Sequence, residues 1–517
     1  MQTLLIKFLT RYRGWVIFLI AVPISFIFQR VQNIRNMFFR LFFATHKNHE
    51  KRVAHIQSLV KEAFQNGQTM CTARKPWKAM SLRVATFKDS CAKIPINLKN
   101  ILDLNTEKKI IRVEPMVTMG DITHFLIPRG FALAVQVEMD DLTIGGLCMG
   151  VGIETSSHRY GFLFETIEAY EIIAADGSLV RVTRTENADL FHALPWSHGT
   201  LGFLVAVEIK IIPVKPYMRL EYIPCHSQDE FCTKFRALSE SVTPPSFLEA
   251  LVFSEKNSVI MCGEFSDANN REPDSKINRI NRWYKKWFYT HVEGFLTHKP
   301  HIEYIPLRHY FHRHTPSVFF QLKELIPFAN HVLYRTLFAW MGAPKISLMK
   351  LTYTKQLRRE AMFNRVTQDI IVPVSEMNNS LNFIHPRFGI YPIWICPVRL
   401  FDHGENEGFL RNPETKIANT NYQLFVDIGV YGIPKAVLEK KSWDMIAISR
   451  EFERFTASNK GYHFLYADIF MTRSEFKSMF NHTLYQKMRE KYHAQKAFPE
   501  VYDKVIPESW LIDIEHV

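Results

Sequence analysis

The chain has 517 residues, 47% of them hydrophobic and 22% charged, enough for a large buried core and two or three domains, and its composition excludes global disorder. Its formal charge of +13 would suit a nucleic-acid binder, but residues 1–52 hold nine Lys or Arg against one Glu, so the excess is mainly N-terminal. Seven scattered cysteines, odd in number and without C-x-x-C spacing, suit a reducing compartment and show no metal framework.

The N-terminal run Trp15–Phe28 is apolar and flanked by Lys7, Arg11 and Arg13 before it and Arg30, Arg35 and Arg40 after it. With its flanks it offers a span of about 20 residues, 12–32, enough for a bilayer core. The alternative is an interfacial hairpin in which Met37–Phe43 lies along the surface. No small-x-small cleavage site follows Phe28, which argues against a removable signal.

Residues Lys51–Gln65 repeat apolar side chains at Val53, Ile56, Leu59, Val60 and Ala63, predicting an amphipathic helix. After it, Arg74 and Lys75 precede Pro76, either an anion-facing loop or a basic surface turn. Thr118 and Asp121 have capping-box spacing and predict a helix start. The stretch Thr143-Ile144-Gly145-Gly146-Leu147-Cys148-Met149-Gly150-Val151-Gly152-Ile153-Glu154-Thr155 reads as a glycine-rich loop, either a phosphate-facing one or a plain turn. It is not a dinucleotide fingerprint, because Thr155 stands where the third glycine belongs.

Asp176-Gly177 between β-branched runs predicts a type I′ hairpin. Asn187-Ala-Asp189-Leu-Phe191 predicts a helix, and Leu204–Ile212 a strand ended by Pro213. Beyond Pro213 the strand signals weaken. Ile277–Tyr289 interleaves bases with aromatics, a pattern of an amphipathic helix or a membrane contact rather than a nucleic-acid site. Pro327–Met341 is apolar, but His331 and Arg335 argue against a second span. Tyr304–His314 is the densest titratable group, suiting either a polar active-site wall or a network between domains, with no metal.

The order of glycine loop, Asp-Gly hairpin, Asn-x-Asp-Leu-Phe helix and closing strand resembles the FAD-binding domain of the vanillyl-alcohol oxidase type. Segments Val113–Gly120, Asp140–Gly161, Ala175–Ser178, Pro195-Trp-Ser197, Tyr304–His309, Tyr391–Trp394 and Ala497–Asp503 more closely resemble the membrane-bound Δ24-sterol reductases, the family that includes the plant Diminuto/Dwarf proteins.

That resemblance implies an α+β fold. Residues 1–37 would be the anchor, 38–214 a two-part FAD-binding (PCMH-type) domain, 215–463 a substrate or cap domain, and 464–517 a segment packing back on the FAD domain. It implies FAD at 143–155, held noncovalently because no histidine lies between His55 and His124, with NADPH as electron donor. The substrate would be a sterol with a Δ24 double bond, and the setting a single-pass anchor in the endoplasmic reticulum membrane, also the Golgi, with the catalytic body cytosolic. An isolated alkene has no carbonyl to take up charge, so protonation at C24 must accompany hydride delivery to C25. Candidates for the acid or its supporting groups are Arg308, His309, Tyr310, His312, Asp427, Tyr431, Tyr466 and Asp468. Alternatives on the same fold are a flavin oxidase or dehydrogenase of alcohols or lactones, and a non-catalytic sterol-binding protein.

Overall fold

A computed structural model describes residues 12–43, 46–79, 81, 83–267, 277–297, 299–350, 354–509, 511, 512 and 514. The first sheet runs in the order Ile101–Asn105, Ile110–Val113, Phe203–Pro213, Ile167–Ile173, Leu179–Thr183, with Phe131–Leu133 paired to the far end of Phe203–Pro213. Every pairing in it is antiparallel, the opposite of a dinucleotide-binding βαβ sheet. Phe203–Pro213 is central, and the expected strand ends at Pro213. A separate parallel pair joins Met70–Thr72 to Ala92–Ile94.

Local chemistry accounts for the elements around this sheet. Thr118 accepts from the Asp121 amide while Asp121 reaches back, closing the capping box of helix Met119–Leu126. The amphipathic helix is present and starts earlier, at His46. Asn187 takes the left-handed conformation at the start of Ala188–Ala193, which asparagine tolerates better than most residues. The Asp-Gly hairpin forms, but not as type I′. Gly177 donates to the Ala174 carbonyl and Ala174 to Ser178, and of the two predicted residues only Gly177 has positive φ. This is a three-residue connection with glycine in the left-handed position.

The second sheet has eight strands, all antiparallel, ordered His301–Pro306, Tyr217–Cys225, Ser258–Ser266, Phe247–Val252, Ile393–Phe401, Tyr422–Gly432, Val366–Pro373, Tyr462–His463. It is larger than the weak strand signals suggested. Its side chains alternate between two cores, as the two-residue period of a strand requires. Leu424, Val426, Ile428 and Val430 pack under helices Gln228–Ser239, Met377–Phe388 and Met445–Ser458. Phe425 and Tyr431, with Trp394 and Cys396, join the core shared with the first sheet.

Residues after 464 return to the first half of the chain. Thr200 Oγ1 and Tyr485 Oη share a hydrogen bond at 2.6 Å, and buried Arg489 donates to the Thr200 carbonyl at 3.1 Å. The basic-aromatic segment is not a helix: Ile277 makes an isolated bridge, and helix begins only at Phe288. Tyr304–His314 is a strand end followed by the helical turn Leu307–Phe311.

Candidate active site

The two sheets and the Arg74–Arg83 segment enclose a cavity of about 410 Å³. One end is suited to an anion. Arg74 donates from Nη1 to Thr143 Oγ1 (3.2 Å) and from Nη2 to the Lys78 carbonyl (2.9 Å). Its buried Nε finds no partner among the described residues. A buried cation with an unspent N–H favours an anionic guest. Lys350 secures this segment by donating to the carbonyls of Pro76 (3.0 Å), Ala79 and Ser81.

The stretch 143–155 is not all loop, since Ile144–Met149 forms a short helix. Thr143, Gly146, Leu147, Gly150, Val151, Gly152 and Ile153 line the cavity. Ile144, Cys148 and Met149 are core residues. The Ile144 and Gly145 amides are already spent on the Val117 and Pro115 carbonyls. A Cβ on Gly145 would lie 2.7 Å from Pro115, so Gly145 serves packing and not a phosphate. At Gly146 a Cβ would meet only Thr143 Oγ1, at 3.3 Å. Glu154 and Thr155 face away from the cavity: Glu154 accepts from Arg313 Nη2 at 2.7 Å, and Thr155 Oγ1 shares a hydrogen bond with Tyr310 Oη at 3.1 Å.

The other end is acidic. Asp427 is fully buried on the cavity wall, and neither carboxylate oxygen has a partner among the described residues. Burial, reinforced by Asp369 and Glu138, pushes its pKa well above the usual carboxylate range. Strand register sets Asp369 opposite Gly429, two residues along from Asp427 and on the same sheet face. Asp369 accepts a short hydrogen bond from Tyr431 Oη, and burial raises its pKa to about 8. Glu138 also lines the cavity, with its pKa raised by burial and by the field of Glu154. Phe319 stands edge-on to Trp394 (5.3 Å) and to Tyr431 (5.1 Å), so three aromatic rings pack together on the wall that Asp427 also lines. Val318, Phe319 and Phe320 all have φ between 49° and 70°, an uncommon conformation for such side chains and one that marks strained functional walls.

Behind this wall lies an ion cluster of a different kind. Arg313, wholly buried, donates from Nε to Glu249 (2.7 Å) and from Nη2 to Glu249 (2.8 Å) and Glu154 (2.7 Å). Burial alone would raise the Glu249 pKa, but Arg313 and His314 outweigh it and hold it at about 2. Glu249 also accepts from Trp394 Nε1 at 2.9 Å, which fixes the Trp394 ring on the cavity wall.

The eight acid candidates therefore divide. Asp427, Tyr431, Tyr466 and Asp468 line the cavity, but Asp468 is paired with Arg358 at 2.9 Å and Tyr466 is 39% exposed. The other four lie off it. Arg308 pairs with Asp140 at 2.8 Å near the surface. The Asn281 amide donates to His309 Nδ1, and Tyr310 is bound to Thr155. His312 donates from Nδ1 to the Glu138 carbonyl (2.8 Å) and shares a hydrogen bond with Thr123 Oγ1. The Tyr304–His314 segment thus ties the second sheet to Thr123, Glu138, Asp140 and Glu154 and lies off the cavity wall.

Sequence reasoning missed Glu138, Asp369 and His198. His198 lines the cavity at φ 50°, its Nε2 has no partner among the described residues, and burial with Lys504 and Arg83 pushes its pKa to about 3. It directly follows Pro195-Trp-Ser197, a motif otherwise recognised.

Residues 51–183 match the family model described as an FAD binding domain. The chain is 44% identical over 504 residues to the Δ24-sterol reductase of Homo sapiens, covering 97% of this chain and 95% of that protein. It is 39% identical to a Δ24-sterol reductase homolog of Caenorhabditis elegans (97% and 96%) and 36% identical to the Δ24-sterol reductase of Arabidopsis thaliana (96% and 92%).

Proposed function

The chain belongs to the Δ24-sterol reductase family, and from that premise we propose that it reduces the C24–C25 double bond of a sterol side chain, with NADPH as electron donor, at the endoplasmic reticulum membrane. FAD is the cofactor of its FAD-binding domain, and in reduced form supplies hydride. Arg74, Thr143, Gly146, His198 and the Gly150–Ile153 backbone would hold it without a covalent bond. The unspent Arg74 Nε, the open side of Gly146 and the unpartnered His198 Nε2 all suit a large polar anion.

The observation that carries the reading is Asp427. A carboxyl that is buried, unpartnered among the described residues and raised in pKa is biased toward its protonated form, and an alkene can be reduced here only if something delivers a proton. Asp427 donates that proton to C24. Trp394, Phe319 and Tyr431 turn aromatic surface toward the cationic character developing at C25, and the apolar wall keeps water from trapping it. Tyr431 and Asp369 hold the strand face beside the donor.

The test is incubation of detergent-purified protein with NADPH, FAD and desmosterol, with mass analysis for a gain of two hydrogens. Flavin that binds and is reduced by NADPH without sterol product would reject the reaction. Product made from another reductant but not from NADPH would reject the donor.

A further inference from the structure

The N-terminal helix does not stand clear of the body. Gly14, Phe18, Ser25 and Phe26 follow one side of it, and all four touch residues 325–345. A Cβ on Gly14 would lie 3.2 Å from the Leu325 carbonyl, Phe18 packs on Phe328 (5.8 Å) and Phe338 (5.0 Å), and Phe26 packs on Trp340 (5.2 Å). The Lys345 amide donates to Ser25 Oγ at 3.0 Å. Ile17, Phe18 and Val22 are buried in the common core.

The other side of the helix is equally apolar and faces outward. Ile20, Ile24, Ile27, Val31 and Ile34, spaced by four and three, form one stripe, each more than half exposed. Beside it Val332, Leu333, Leu337 and Trp340 are also more than half exposed. Thirteen of the 21 exposed large apolar side chains among the described residues belong to these two segments, so the patch is concentrated and not scattered. Its border is basic and aromatic. Arg335 donates to the Tyr284 carbonyl at 3.0 Å, which sets exposed Trp283, Tyr284, Lys285 and Lys286 next to the patch. Aromatic rings and lysines at the edge of an apolar face match the headgroup level of a bilayer.

The 20-residue helical segment Arg13–Gln32 is long and apolar enough, by length and composition, to cross a membrane. If it crossed while packed as it is, Arg335, His331 and Lys345 would be drawn into the hydrocarbon with it, where charged side chains are costly. Lying in the plane of one leaflet avoids that cost and buries both apolar faces.

We propose that the protein is held on a single leaflet, with the outer stripe of helix Arg13–Ile34 and the Val332–Trp340 turn sharing one lipid-embedded face and both ends of the helix on the same side of the membrane. The face adjoins the site: Val318 and Phe319 before the turn and Ile346 after it line the cavity.

Two measurements test this independently of activity. With sealed microsomes holding full-length protein tagged at both ends, added protease should remove both tags or neither, and digest both once detergent is added. Removal of one tag alone would establish a spanning helix and overturn the proposal. The second measurement is flotation with phosphatidylcholine vesicles containing phosphatidylserine. Leu333→Asp/Leu337→Asp should bind at least tenfold less than the parent, with flavin content reporting that the fold is kept. Undiminished binding would remove the turn from the face. Should that variant not fold, brominated-lipid quenching of tryptophan in the parent should shrink in Trp340→Phe, and an unchanged quench would overturn the turn's part in the same way.

Discussion

Two groups of buried acids sit on one face of the second sheet, and they differ in what is left unpaired. Around Arg313, the Glu154 and Glu249 carboxylates share a guanidinium through three hydrogen bonds, and Glu249 also accepts from Trp394. Around Asp427, the carboxyls of Asp427, Asp369 and Glu138 form no ion pair among the described residues, and only Glu138 feels the field of Arg313. Tyr431 is the only hydroxyl bound to Asp369 among the described residues, and Asp427 has no side-chain partner among them. Pairing makes the first group a brace, while burial without a paired cation raises the pKa of each carboxyl in the second and favours its protonated form. Burial alone does not separate structure from chemistry, but the count of satisfied partners does.

The sharpest way to break this comparison is to remove the brace's cation. Arg313→Met leaves two carboxylates buried without compensation, which costs about 3–5 kcal/mol. Thermal unfolding should shift down or soluble protein should fail to accumulate, and adding Glu249→Gln should recover part of the loss. An unshifted melting curve for Arg313→Met would mean the cluster is no brace.

Asp427→Asn should do the reverse, because an amide of nearly the same shape replaces a carboxyl with nothing to lose. Stability should hold or rise and flavin content should stay constant, while kcat for the sterol falls at least about a hundredfold. Parent activity should also fall as rising pH ionises the donor. If Asp427→Asn turns over normally, the proton comes from elsewhere, and Glu138 is the next carboxyl on the cavity wall.

The two groups should also respond to pH with opposite signs. Asp369 keeps its proton to about pH 8 in the fold, while the unfolded chain loses it near 3.8. Between those values only the native state binds the proton, so stability falls as pH rises. Glu249, held at about 2, contributes stability that is full above about 4.5 and lost as pH falls toward 2. Melting followed from pH 5 to 8 should therefore show Asp369→Asn gaining on the parent, since asparagine can still accept from Tyr431. Parallel curves would mean that Asp369 is ionised in the fold.

What the sequence disclosed follows the range of the forces involved. The Thr118 capping box, the helix ending at Gln65 and the strand closed by Pro213 depend on residues a few positions apart, and all three were legible. The glycine stretch was recognised, yet its individual roles were not. That Gly145 meets Pro115 while Gly146 opens on the cavity depends on a neighbour 30 residues away. The second sheet read as weak because Glu249, Asp369 and Asp427 interrupt its apolar runs, and those interruptions are the inner face of the site. Asp427 and Tyr431 stood out for the same reason, whereas Glu138 and His198 lie in connections with no periodicity to break.

The smallest effect belongs to Arg308, whose position among histidines and tyrosines made it look catalytic. Its side chain is 45% exposed and its partner Asp140 is 24% exposed, so water screens the pair and most of the attraction is offset by desolvation and lost side-chain freedom. Exposed pairs of this kind are worth about 0.2–1 kcal/mol. Arg308→Ala should therefore lower stability by no more than that, with less effect at high salt, and leave kcat and KM within about twofold. His312, 3.5 Å from Asp140 on the inner side, stays anchored by the Glu138 carbonyl and Thr123, so losing Arg308 does not reach Glu138 on the cavity wall. A tenfold loss of kcat with stability intact would show that the polar edge at Asp140 is coupled to the acids inside, and the division between brace and donor would have to be redrawn to include it.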